Sequence, residues 1–107
     1  MTAEQFSSSA TPPQAAVTAF KKGLKLRPEY GGKGLRQETV RWAEHFAAGK
    51  SNNPGQAKRM RAWFRRHKSD KRDGWDNPPT PGYVAWLLWG GDAGFRWVEK
   101  LMKEVDG

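Results

Sequence analysis

Two groups of residues in this chain have the types and spacing to do chemistry. The first is Arg66, His67, Asp70 and Lys71, taken with Asp92 in the turn Gly90-Gly91-Asp92-Ala93-Gly94. On a helix, His67 and Asp70 share a face, so the carboxylate could orient the imidazole as half of a general-base pair. No nucleophile or second base stands at a recognisable spacing. The plainer account of the same residues is a polar clamp tying the third helix to the turn at Gly90, Gly91 and Asp92. The clamp is the expectation, and no catalytic residue is assigned.

The second group is a run of positive charge. Lys58, Arg59, Arg61, Arg65, Arg66, Lys68, Lys71 and Arg72 fall within residues 58–72, with Asp70 as the sole acid among them. This segment carries +7 of the chain's formal net charge of +8, so the basic balance belongs to one place. A charged helix face is usually a solvated surface of mixed sign; this one has a single sign. Arginine leads in its helical part, and the planar guanidinium fork suits phosphate oxygens and guanine edges. A polyanion is therefore the expected partner. Duplex DNA ranks ahead of RNA or single-stranded DNA, because a rigid helix matches a major groove and no sheet of splayed aromatic rings is indicated. Arg59, Arg61, Arg65 and Arg66 are the leading contacts, and Lys58, Lys68, Lys71 and Arg72 are phosphate-binding neighbours. Lys21, Lys22 and Lys25 extend the patch if packing brings them alongside. A reading from another class sets the same face against an acidic protein partner.

Other chemistries find little to work with. The chain has no Cys, and its 2 His are His45 and His67, which removes disulfides, cysteine-containing zinc sites and thiol catalysis and leaves a His-rich metal site short of ligands. His45 reads as a partly buried or surface residue beside the Trp42 and Phe46 stripe. Asp70, Asp73 and Asp76 recur among basic neighbours but lack the Asp-x-Asp/Asn-x-Asp/Asn-Gly spacing and the terminal glutamate of a calcium loop. Tyr30-Gly31-Gly32-Lys33-Gly34 is too compressed for a P-loop and follows no strand, so a structural turn is expected ahead of a backbone contact with phosphate. Trp86, Trp89 and Trp97 could stack unpaired bases, yet at helical spacing in apolar surroundings they read as core. No cofactor and no metal is expected.

Positioning these groups requires helices. A chain of 107 residues supports one small domain, and with 6 Trp, 5 Phe and 2 Tyr its core must rest on aromatic rings. There is no Ile and no clean alternation of apolar and polar residues, which argues against strands. A helix-start signal recurs at Thr11-Pro12-Pro13, Asn53-Pro54 and Thr80-Pro81, a capping side chain followed by proline in the first turn. The first helix, with Val17, Phe20 and Leu24 inside, should end before Pro28. The second spans about 35–48, burying Leu35, Thr39, Trp42, Ala43 and Phe46, with Gly49 as its stop. The third spans about 54–68 and buries Ala57, Met60, Trp63, Phe64 and His67. Residues 69–79 form a connection whose Trp75 folds back onto the body. The stretch from Tyr83 to Trp89 is apolar all round and therefore central. Asp92 caps the last helix, which buries Phe95, Val98, Leu101, Met102 and Val105 and ends near Val105.

Residues 1–10 read as a disordered tail and 11–106 as a single all-α domain, a compact bundle of about five short helices around a Trp-rich core. The second and third helices, joined across 49–53, have the outline of a helix-turn-helix. The apolar stretch at Tyr83 is too short for a bilayer and the N-terminus has no signal-peptide pattern, so no membrane partner is expected and a reducing compartment is.

Several strings are more particular than these patterns. They are Leu24-Lys25-Leu26-Arg27, Glu38-Thr39-Val40-Arg41, Arg59-Met60-Arg61-Ala62-Trp63-Phe64-Arg65-Arg66-His67 with Asp70-Lys71, and Ala85-Trp86-Leu87-Leu88-Trp89-Gly90-Gly91-Asp92-Ala93-Gly94 followed by Arg96-Trp97. Together they resemble a small domain of tailed-phage and prophage proteins, found free-standing and within longer phage chains. The resemblance runs roughly from Pro12 to Trp97, with Trp63 where the family often has Phe. It implies a viral origin, a place in the cytoplasm of an infected bacterium or in the virion, and a phage protein as partner in the protein-interaction reading. It implies no particular biochemical activity.

Overall fold

The computed structural model describes residues 10–106. Within them lie five α-helices: α1 (Gln14–Tyr30), α2 (Gln37–Ala47), α3 (Pro54–His67), α4 (Pro81–Leu88) and α5 (Gly91–Asp106). A 3₁₀ turn over Lys68–Asp70 continues α3, and no strand occurs among the described residues. The all-α bundle around aromatic rings is the architecture.

Local signals account for several helix ends. The Asn53 side-chain oxygen accepts from the Gln56 N–H at 2.9 Å and Thr80 Oγ1 from the Tyr83 N–H at 3.2 Å, each satisfying a first-turn donor. Thr11 does not cap α1. That helix begins at Gln14 with Pro13 at the cap position and no side-chain bond, since Pro13 keeps the residue before it out of the helical region. It also runs through Pro28 to Tyr30 instead of stopping short. Pro28 is exposed and close to the helix end, where one missing N–H is tolerated, and the Gly31 N–H closes the last turn on the Arg27 carbonyl at 2.9 Å. α2 starts later than expected, leaving Leu35 in the preceding loop but packed on the core. Its end is closed by the Gly49 N–H on the Phe46 carbonyl and the Lys50 N–H on the His45 carbonyl.

Phe20, Phe46, Met60, Phe64, Leu88 and Leu101 are fully buried at the centre. α4 buries Val84, Trp86, Leu87 and Leu88 and packs against α1 and α5. Its closeness to α1 depends on Gly23, where a Cβ would lie 2.9 Å from the Leu88 backbone nitrogen. The corner between α4 and α5 is equally tight. Gly90 has φ +119°, and a Cβ there would lie 2.9 Å from Phe20 Cζ. α5 begins at Gly91, so Asp92 stands in its first turn and does not cap it. Its inner face is Trp97, Val98, Leu101 and Met102; the large Trp97 indole is buried, whereas Val105, expected inside, is 49% exposed in the last turn.

Of the tail expected over 1–10, residues 1–9 lie outside the described residues. Ala10 is buried and accepts the Asn52 N–H at 2.9 Å, so it belongs to the ordered body. Among the described residues no helix is long and apolar enough to cross a membrane.

The arrangement of α2 and α3 departs most from expectation. α2 packs against α1, α3 packs against α5, and the two make at most marginal contact with each other. Trp89, following α4, stacks on Trp63 of α3, and α4 lies beneath the gap between the two helices. The helix-turn-helix outline is therefore not realised, and a groove opens where its packed helices would meet.

Candidate nucleic-acid interface

The inner face of α3 holds Gln56, Ala57, Met60 and Phe64, which turns its cations outward or toward the flanking helices. Acids on those helices capture several of them. Arg65 grips Glu99 of α5 with two N–H groups, Nε at 2.9 Å and Nη2 at 2.8 Å. Arg61 donates to Asp106 at 3.1 Å, and Arg59 donates to Glu38 of α2 at 3.3 Å. Of the leading arginines, only Arg66 has no carboxylate partner among the described residues. Lys58, Lys68 and Arg72 share that condition and are exposed. Lys21, Lys22 and Lys25 are not brought alongside, because α1 packs on α4, α2 and α5; Lys22 instead lies 5.4 Å from the centre of the Tyr83 ring.

The Gly90, Gly91 and Asp92 turn is tied to the end of α3 by Lys71. Its ammonium lies 2.8 Å from Asp92 Oδ1, and the same oxygen accepts the Trp86 indole N–H at 2.8 Å. Lys71 holds the Asp92 carboxyl below its ordinary range, with Trp86 assisting and partial burial opposing. The Arg65 fork lowers Glu99 in the same way, again against a smaller effect of burial. Gly90 and Gly91 serve packing, against Phe20 and Ala19. His67 and Asp70 do not reach the turn. They pair with each other, Nδ1 to Oδ2 at 2.8 Å, and both line the groove. His45 bonds the Ser51 carbonyl at 2.8 Å and stands apart from them.

The groove between α2 and α3 has a volume of about 860 Å³. Gln56, Arg59, Trp63 and Arg66 form its α3 wall, at the i, i+3, i+7, i+10 spacing of one helical stripe. Trp42 lines the opposite wall, and Trp86, Leu88 and Trp89 line the floor. Trp63 is half-buried and stacks on Trp89 at 4.9 Å between ring centres and on His67 at 4.5 Å. Of the tryptophans read as core, Trp86 and Trp97 are buried, but Trp89 is only half-buried. Gln56 is 5% exposed, and its side-chain oxygen has no hydrogen-bond partner among the described residues. The spacing of this stripe was available in the sequence, but Trp63 read as core and Arg59 and Arg66 as basic face, so the three were not joined into one wall. Among the described residues no group of three or more His, Cys, Asp or Glu could hold a metal ion.

Comparison of this chain with known family models, with characterised proteins and with solved structures finds no match in any of the three.

Proposed function

We propose that this domain binds nucleic acid through phosphate contacts on the outward side of α3 and its extension to Arg72. The observation that carries this is the set Lys58, Arg66, Lys68 and Arg72, exposed cations with no carboxylate partner among the described residues. A free cation can replace a phosphate counterion at once, whereas a paired one must first release its carboxylate. These four residues are therefore the leading contacts, and Arg59, Arg61, Arg65 and Lys71 are secondary. The preference for duplex DNA drew on a rigid helix matching a major groove, with no splayed aromatic surface; α3 is bordered by an aromatic groove, so the proposal extends to the phosphate backbone alone. Its phage setting rests on the motif resemblance.

The test is fluorescence anisotropy with labelled duplex and single-stranded oligonucleotides across a salt series. Affinity should fall linearly on a log–log plot, with slope about −0.9 per contacted phosphate on duplex and about −0.7 on single strands. Replacing Lys58 and Arg66 together by Ala should shrink that slope by about two contacts' worth, and Arg65→Ala by less. Binding insensitive to salt, or none to any nucleic acid at low ionic strength, would overturn the proposal and leave the face to an acidic protein.

A further inference from the structure

We infer that the groove between α2 and α3 receives an unpaired nucleobase, so that the strand this domain holds is single. The inference rests on the phosphate-binding reading above and specifies which form of nucleic acid satisfies it.

Three features of the groove converge on that occupant. The first is aromatic surface, with half-buried Trp63 and Trp42 on facing walls and half-buried Trp89 on the floor. Trp63 is itself stacked on Trp89 and His67, and Trp42 on Phe46, so the base lies on Trp42 or Trp89, against the face turned away from these rings. An indole face stacks bases of any sequence, because every base has a π-face. The second is charge. Arg36, Arg59 and Arg66 line the opening, and the groove's two carboxylates are already engaged, Glu38 by Arg59 and Asp70 by His67. Arg36 and Arg66 are exposed, without a carboxylate partner among the described residues, and so can meet phosphates. Arg66 belongs both to the free cations of α3 and to the groove rim, which makes phosphate track and base pocket continuous.

The third feature is Gln56. A buried carbonyl oxygen without a donor is costly to keep and rare in folded proteins. Gln56 lines the groove on the same stripe as Trp63, with the orphan oxygen itself turned away from the open side. Adenine, cytosine and guanine carry amino donors on their edges, and a base in the groove can offer one once the Gln56 amide turns over to present its oxygen. Competing occupants fail on one feature each. A methylated ammonium suits an aromatic cage but would face three arginines. An apolar helix would cover the rings and leave the Gln56 oxygen unpaired.

The experiment compares three probes on the full chain: a short mixed-sequence DNA strand, its duplex, and a strand of equal length built from abasic units. The base-containing strand should bind about tenfold more tightly than either, the worth of roughly one stacked base, and should quench tryptophan emission. Gln56→Leu should weaken that strand about fivefold and leave the abasic strand unchanged. It should also hold or raise the melting temperature, because it removes a buried acceptor with no partner. Trp42→Phe keeps a ring at the site and provides a second variant, with a loss of about threefold for the base-containing strand alone. If duplex or abasic strand binds as well as the base-containing one, or if neither variant discriminates between them, the groove proposal falls. Equal, steeply salt-dependent binding of all three probes would do so while sparing the phosphate reading; no binding to any would end both.

Discussion

Lys71 places its ammonium 2.8 Å from Asp92 Oδ1, the oxygen that also receives the Trp86 indole N–H. One carboxylate atom thus joins the extension of α3, the middle of α4 and the first turn of α5. Lys71 also lies 5.2 Å from the centre of the Trp86 ring, so its stem and charge cover the indole edge of the core. The relationship gives the Asp92 of the Gly-Gly-Asp turn a structural purpose independent of any ligand.

Replacing Asp92 by Ala should therefore destabilise the fold by about 1–3 kcal/mol, since it strands the indole N–H of a largely buried Trp86 as well as the Lys71 charge. Asp92→Asn retains an acceptor for the indole and should cost less. Urea unfolding of the two variants, read at tryptophan emission, orders them; equal losses would mean that the indole bond contributes nothing.

The same carboxylate predicts an acid limb. Asp92 and Glu99 both have carboxyls held below their ordinary values, Asp92 chiefly by Lys71 and Glu99 chiefly by Arg65. The unfolded chain then takes up protons at a higher pH than the folded one. Their contribution is complete above the unfolded values of about 4 and is lost as pH falls through the depressed folded ones. Urea midpoints measured down through the acid range should decline, and the decline should be shallower in Asp92→Asn and Glu99→Gln. Parallel curves for variant and parent would contradict the pairing.

Glu99→Gln has a second consequence. It releases Arg65, the cation most firmly held by a carboxylate, onto the face that carries Arg66. Surface pairs contribute little to stability, so the urea midpoint at neutral pH should fall only by the small amount that this pair gives to the acid limb. Affinity for nucleic acid should rise, and the salt slope should steepen by about one contact. An unchanged slope would place Arg65 outside the interface.

How much of this was legible depends on the range of each interaction. Asn53 and Thr80 act on N–H groups three residues away, and Gly49 closes its own helix, so a linear reading finds them. The buried stripe of Ala57, Met60 and Phe64 follows from helical period. The ion pairs of α3 do not: Glu38, Glu99 and Asp106 lie 21, 34 and 45 residues from their arginines, and nothing local selects them. Counting charge located the basic segment and overstated its free part. Pro28 misled in the other direction, since proline's penalty depends on its distance from the helix end and on exposure, which sequence does not give. Trp42 and Trp63 have the composition of core and the position of a wall; only the separation of α2 from α3 distinguishes the two. Nothing in the sequence marks Gln56, because its burial comes from other parts of the chain.

Two glycines with left-handed backbones separate conformational cost from packing cost. Gly49 has φ +79° and nothing within 4 Å of an added Cβ, so Gly49→Ala should lose about 1–2 kcal/mol for backbone strain alone. Gly90 has φ +119°, and its added Cβ would lie 2.9 Å from both Gly94 Cα and Phe20 Cζ. Phe20 is 1% exposed and in ring contact with Phe46, so it has little room to withdraw. Gly90→Ala should therefore cost at least about 1 kcal/mol more than Gly49→Ala, the overpacking added to the strain. Denaturant unfolding of both variants measures the difference. If Gly90→Ala proves no worse than Gly49→Ala, the corner between α4 and α5 is looser than the contact with Phe20 requires, and the turn would owe its glycine to backbone conformation alone.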